Sequence, residues 1–281
     1  MPAALLALLA AALFGASAPV AKVLVGSTSP LVLSGLLYLG AGAAAAPFGL
    51  RSRAPFQRGD WKYLAGVIAC GGVLGPFLLM FGLSRSAASA SSLLLNLETL
   101  FTTLIAVVLF GERLGRRALV ALALVLGGAA LLTFEPGGET RSWLGPLAVA
   151  GACAAWGLDN NLTQKLSARD PLLVVRWKGL AAGSISLALG LLTGGRLPGR
   201  GAIGEALALG AIGYGLSLVL YVRALRSLGA ARTAMLFATA PFAGALIAIP
   251  LLGETPSLVL GASGVVMAAG VALLLTDQPR S

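Results

Sequence analysis

Residues 87–110 read AASASSLLLNLETLFTTLIAVVLF. Small residues open the run, large aliphatic residues fill its second part, and a single carboxylate, Glu98, lies inside it. About 20 apolar residues are enough to cross the hydrocarbon of a bilayer. At a rise of 1.5 Å per residue, Glu98 stands roughly 16 Å into such a helix, close to the bilayer centre. An ionisable group at that depth is costly and rare, which makes it a functional candidate by default. Glu98 reads either as a proton- or substrate-binding carboxylate facing a central cavity or as a polar group that locks helices through Asn96 or Thr102.

Working outward, the rest of the chain repeats the pattern. Apolar runs bounded by Gly, Pro, Ser and charge predict spans at 3–25, 30–50, 62–82, 87–110, 117–134, 143–164, 171–193, 203–223, 232–252 and 257–275. Boundaries are least defined around 193–205, where Gly and Pro are dense. Hydrophobic residues make up 58% of the 281 positions and charged residues 11%, against roughly a quarter charged in a soluble domain. A water-soluble protein of this composition would lack the polar surface to cover its core. Thirty-eight glycines suit helices that approach closely in lipid, where the hydrophobic drive for association is missing. Residues 3–14, followed by Ala16-Ser17-Ala18, imitate a signal peptide, but no basic stretch precedes them and the apolar run resumes after Pro19. A retained first helix is expected.

The net charge of +10 sits in short clusters between apolar runs, a pattern that encodes orientation and argues against a nucleic-acid partner. With the N-terminus inside, the inner connections and tail hold thirteen Lys and Arg (Arg51, Arg53, Arg58, Lys62, Arg113, Arg116, Arg117, Lys165, Arg169, Arg223, Arg226, Arg232, Arg280) and the outer ones four (Arg85, Arg141, Arg196, Arg200). That asymmetry predicts ten spans with both termini cytoplasmic. Cys70 and Cys153 fall inside apolar runs and suggest neither a disulfide nor a metal site. The absence of histidine removes His-based zinc sites, triads and proton relays. No Gly-Lys-Ser/Thr phosphate loop occurs, so uphill transport would draw on an ion gradient, with protons through Glu98 the first choice. No cofactor is expected.

An offset of 142 residues aligns the chain with itself. Leu104-Ile105-Ala106 meets Leu246-Ile247-Ala248, Gly111-Glu112 meets Gly253-Glu254, and Phe14-Gly15 meets Trp156-Gly157. Between 91–133 and 233–275 eleven of forty-three positions are identical. Five spans per copy is an odd number, so the copies would enter the membrane from opposite sides. The expected fold is an all-α membrane protein of ten transmembrane helices in two inverted five-helix repeats, 1–137 and 138–281. In such folds the substrate site lies near the midplane at the repeat interface.

The run Ala87 to Glu98, continued to Gly111-Glu112-Arg113-Leu114, resembles the fourth helix of EamA-type transporters of the drug/metabolite transporter superfamily. Ala240-Pro241-Phe242 through Gly253-Glu254 resembles their ninth. The resemblance covers nearly the whole chain and implies a small-molecule carrier. The family pattern places a proline after the acidic residue of the fourth helix, where this chain has Thr99; Pro241 keeps it in the second copy. A kink is therefore expected in the ninth helix more than in the fourth. The arginine that the family often carries in the second helix is missing near Leu36 and Leu37.

Further candidates cluster at 156–178. Asp159, Asn160 and Asn161 sit toward the inner end of the sixth span, with Arg176 and Lys178 at comparable depth on the seventh. Pairing Asp159 with Lys178 or Arg176 would lower the cost of burying either charge. The result is a gate, an anion clamp or a static brace. Lys22 reads as snorkelling, and Gly71 and Gly75 as a small-residue packing face. Trp156, Trp177, Tyr214, Tyr221, Tyr38 and Phe237 are candidate cavity aromatics, Trp156 foremost because it adjoins the polar patch. The two Gly-Glu pairs read as helix ends, with Glu meeting water. The expectation is a non-enzymatic, secondary active exporter of small metabolites such as amino acids or amphipathic compounds. Its partners would be that substrate, the lipid bilayer and, if coupled, protons, in a monomer or homodimer of a bacterial inner membrane. Uptake or exchange of an anionic metabolite and a non-transporting scaffold are the alternatives.

Overall fold

The computed structural model describes residues 2–49, 54–110, 115–133, 143–166, 168–228, 233 and 236–276. Gly111-Glu112, Arg51, Arg53, Arg113, Arg141, Arg232 and Arg280 lie outside that set. The described residues are helical with connecting turns and contain no strand. Helix α1 is Ala3–Val25, continuous through Ala16 and Pro19, and α2 is Pro30–Gly49. Helix α3 is a run of Trp61–Gly66, a π-helical stretch Val67–Leu74 and Gly75–Leu83. Helix α4 is Ala88–Leu94 followed, after a break, by Leu97–Phe110. Then come α5 (Arg116–Thr133), α6 (Leu144–Gln164) and α7 (Pro171–Leu192). Helix α8 joins Arg200–Leu209, a π-helical stretch Gly210–Leu216 and Ser217–Leu228. Ala240–Leu252 is the main piece of α9, and α10 is Leu258–Thr276.

Six of these helical runs are long and apolar enough to cross a membrane: Ala3–Val25, Pro30–Pro47, Arg58–Leu83, Ala88–Leu109, Leu172–Leu192 and Arg200–Ala224. The Gly- and Pro-rich 193–205 stretch resolves into a turn at Gly194 (φ 89°) and a helix start at Arg200. The surface is the inverse of a soluble protein's. Large aliphatic side chains point outward, with Val108 82%, Leu192 83% and Leu258 94% exposed, while Ala7, Ala10, Ala21 and Ala152 are fully buried. Such a surface is matched to lipid, where small residues inside allow close packing.

The α2–α7 pair forms the most extensive helix contact and runs through glycines. A Cβ on Gly42 would lie 2.6 Å from Leu180 N, and one on Gly183 2.6 Å from Leu39 N. Helices α5 and α10 form a second pair. Helix α1 packs on α9 and α8, and α6 packs on the second part of α4 and on α3. The last two sets cross the 142-residue offset: α1 maps on α6, α9 on α4 and α8 on α3. The π-helical stretches follow the same offset, since Leu74, which ends the first, maps on Leu216, which ends the second.

The fourth helix corrects the proline expectation. It breaks at Leu95–Asn96 without a proline, and α9 turns at Ala238–Thr239 just before Pro241. At the α4 break the backbone bonds tighten to three-residue spacing: Leu95 N to Ser92 O (3.2 Å), Asn96 N to Leu93 O (3.0 Å), Glu98 N to Leu95 O (3.0 Å) and Thr99 N to Asn96 O (3.2 Å). The Asn96 amide also donates to Leu93 O at 2.8 Å. Asn is suited to this because its side chain competes with the helix for nearby backbone groups.

Candidate functional site

A cavity of about 660 Å³ lies where α1, α2, α4, α6, α7, α8 and α9 converge. Its volume is in the range of small-molecule sites. One wall is aromatic, formed by Phe14, Tyr38, Tyr214, Tyr221 and Phe237. Phe14 meets Tyr214 edge-on at 5.5 Å between centroids, and Tyr221 meets Phe237 edge-on at 5.0 Å. A polar set, Glu98, Thr102, Asp159, Asn160, Thr163 and Lys178, lines the rest of the cavity. From there the cavity reaches Leu166 and Arg169 at the α6–α7 connection.

The break in α4 places Glu98 in the first turn of Leu97–Phe110, partly exposed to the cavity. Asn160 Nδ2 donates to Glu98 Oε1 at 2.8 Å and to Thr102 Oγ1 at 3.1 Å. Asn161 Nδ2 donates to Thr102 O at 2.9 Å and to Gly157 O at 2.8 Å, tying α6 to α4. These bonds depend on Gly157: a Cβ there would sit 2.8 Å from Thr102 N and force the helices apart. Asp159, buried, forms an ion pair with Lys178 and accepts a long hydrogen bond from Thr163 Oγ1 at 3.4 Å. Gly71 makes room for that carboxylate, because a Cβ at Gly71 would overlap Asp159. The Gly71 carbonyl, presented by the π-helical stretch of α3, accepts from both Tyr38 Oη (2.8 Å) and Trp156 Nε1 (3.0 Å). Two cavity side chains are thus oriented by one backbone oxygen. π-Helical bulges often accompany functional sites.

Glu98, Asn160, Asp159, Trp156 and Lys178 therefore share one cavity. Two sequence candidates do not line it. Asn96 is buried in the α4 turn with its amide 3.9 Å from Met267 Sδ of α10, away from the cavity. Arg176 lies off the face of α7 that carries Val174, Val175, Lys178 and Gly179, since successive helical residues are rotated by about 100°. Trp177 is exposed and meets Trp61 edge-on. The Lys22 ammonium donates to Leu83 O and to Ser86 O (2.7 Å), at the end of α3 and in the connection that follows it. Glu254, expected to meet water, instead accepts from Ala88 N (2.6 Å) and Ser89 N (2.9 Å). The ammonium and the carboxylate are drawn to backbone groups left unpaired at helix ends.

Sequence reasoning did not single out Phe14, Thr163, Arg169 or Ser217, all of which line the cavity. The signal for Phe14 was present in the Phe14-Gly15 and Trp156-Gly157 match: both aromatics line the cavity, and both glycines lie against the broken helix of the other half. Arg169 pairs with Asp60 at 2.6 Å, bridging the α6–α7 connection to the start of α3.

The sequence pattern of the EamA-like transporter family matches twice, over residues 1–134 and 143–276. The chain belongs to the EamA-like transporter family. Among relatives of this family member, an uncharacterized transporter of Methanothermobacter thermautotrophicus is 30% identical, with 93% of this chain and 82% of the relative aligned. A probable terminal-alkyne amino-acid exporter of Streptantibioticus cattleyicolor is 30% identical over 82% of this chain and 77% of its own length. A solved crystal structure with 22% identity superposes with a TM-score of 0.69, covering 96% of this chain and 95% of that one, and shares the fold. This EamA-like chain is thus a multi-pass membrane protein of a transporter family.

Proposed function

We propose that this EamA-like chain is a secondary active carrier that exports small metabolites, amino acids or related amphipathic compounds, by alternating access. The observation that carries the reading is the mixed lining of the cavity: a carboxylate and its amide partner at a break in a membrane helix, together with an aromatic wall. A molecule with a charged or polar head and an apolar body fits both kinds of lining at once. The relative named as an amino-acid exporter supports the same class.

The proposed architecture is ten spans in two inverted repeats with cytoplasmic termini. It is supported by the double family match, the π-helical stretches and helix breaks at repeat-related places, and the distribution of basic residues. On this orientation the cavity reaches the cytoplasmic side, past Leu166 and Arg169, in a multi-pass protein of the bacterial inner membrane. Proton coupling is assigned to Glu98, the cavity carboxylate that forms no ion pair among the described residues. The anion-clamp alternative loses ground because the Lys178 charge is already paired with Asp159 and Arg176 lies off the cavity.

The test is flux of a metabolite panel, led by amino acids, into proteoliposomes under an imposed pH gradient. Saturable, gradient-dependent flux of an amphipathic solute is the expected result. No flux from folded, inserted protein across the panel would overturn the exporter reading in this form.

A further inference from the structure

We propose that Lys22 and Glu254 form a two-point latch that holds shut the end of the bundle opposite the cavity mouth. The serine-rich segment 86–92 is the dry half of the route that the latch closes. The inference rests on the alternating-access reading above and adds to it the contacts that must break.

Two charged side chains converge on the α3–α4 connection. Lys22, in the last turn of α1, donates to Leu83 O and Ser86 O. Glu254 follows Gly253, whose φ of 66° ends α9 in the left-handed conformation, and accepts from Ala88 N and Ser89 N at the start of α4. Both are charge-assisted bonds to backbone groups that the helix ends leave unpaired. One arm comes from α1 and holds the end of α3 and the connection, and the other comes from the turn after α9 and holds the start of α4, so release of both frees the α3–α4 connection from two helices together.

Beneath the latch α1 and α9 meet backbone to backbone, with the Ser92 side chain of α4 against them. A Cβ at Gly244 of α9 would lie 2.7 Å from Gly15 O of α1 and 3.0 Å from Ser92 Oγ of α4. None of the residues from 84 to 97 lines the cavity. Yet the hydroxyls of Ser86, Ser91 and Ser92 are buried there with no hydrogen-bond partner among the described residues. A serine in a helix can fold its hydroxyl back to a carbonyl one turn earlier, and an unpaired buried hydroxyl costs stability. Alanine would fill a permanently packed wall at lower cost. Three such hydroxyls on the latched segment fit a surface that is dry in this conformation and wetted in the other.

The test uses two single-cysteine reporters in a chain carrying Cys70→Ser and Cys153→Ala: Ser92→Cys below the latch and Val175→Cys on the cavity wall. Their reaction with a charged thiol reagent is timed in proteoliposomes, with solute flux measured on the same preparations. With the latch intact, Val175→Cys reacts faster than Ser92→Cys. Adding Lys22→Met and Glu254→Ala should speed Ser92→Cys about tenfold or more, the scale of a lost charged hydrogen bond, and slow Val175→Cys. An unchanged Ser92→Cys rate overturns the latch, and so does a rise of both rates together, which marks general loosening. If the double variant does not fold, Glu254→Gln alone should move the two rates in opposite directions by a smaller factor, and no movement overturns the proposal. Opposed shifts without flux in any variant would sink the carrier reading and leave the latch standing; flux in the parent with unmoved reporters does the reverse.

Discussion

Helices α4 and α9 are interrupted at places related by the 142-residue offset, yet their neighbours treat the two breaks differently. At α9, Gly15 of α1 presses its backbone against Ala240 and Gly244, leaving no room for a side chain. At α4, Gly157 of α6 makes an equally close approach to Phe101 and Thr102, but one turn later Asn160 and Asn161 bridge to Glu98 and Thr102. The offset places Ala240 on Glu98 and Pro241 on Thr99. One break is therefore a dry backbone contact set by glycine and proline; the other is a polar junction built around a carboxylate. On the proposed carrier reading, the α4 junction would supply the chemistry and both breaks would serve as joints.

The strongest way to break this contrast is to make the α4 junction as neutral as the α9 one. Glu98→Gln keeps the shape and a hydrogen-bonding oxygen for Asn160 but removes the charge and the titratable proton. Flux driven by a pH gradient should fall to the background of empty liposomes, with insertion and melting temperature unchanged. Wild-type gradient dependence in this variant would remove Glu98 from the mechanism and leave the two breaks equivalent.

Next in size is the Asp159–Lys178 pair on the same polar wall. Asp159→Asn or Lys178→Met alone strands the other charge in a largely buried site and should cost about 3 kcal/mol of stability. The double variant should recover most of that loss, read from thermal unfolding in detergent. Flux then separates the roles: recovery with stability marks a brace, whereas stable protein without flux marks a contact that the substrate or the gate requires. Asn160→Ala is smaller again. Asn160 is exposed to the cavity and its amide reaches Glu98 and Thr102, so its loss should lower flux roughly tenfold, the scale of one hydrogen bond to a charged group, with little change in melting.

Much of this was legible in the sequence because lipid imposes a coarse code. Run length gave the helices, and the predicted 3–25 and 30–50 spans coincide closely with α1 and α2. Glu98 announced itself by depth alone. The break beside it did not, because its cause is local: Asn96 and three-residue backbone bonds interrupt the helix where a search for proline finds only Thr99. The roles of Lys22 and Glu254 were also out of reach. Each binds backbone atoms 61 or more positions away, and no residue type marks a carbonyl or amide that a distant helix end leaves unpaired. The offset match of Phe14-Gly15 with Trp156-Gly157 held more than its two letters suggested, since it located the close contact at both joints.

The smallest effect is the most useful check on how the polar wall is bounded. Arg176 and Lys178 look interchangeable in the sequence as cationic partners for Asp159. Helical rotation separates them: Val174, Val175, Lys178 and Gly179 face the cavity, and Arg176 does not line it. Arg176→Gln should therefore change stability by no more than about 0.5 kcal/mol and leave the flux of neutral and anionic solutes alike at the parental level. A selective loss of anion flux in Arg176→Gln would mean that α7 rotates to bring this guanidinium into the route during the cycle. The polar wall would then gain a second cation in the other state, and the contrast between the two joints would be a property of one conformation and not of the whole cycle.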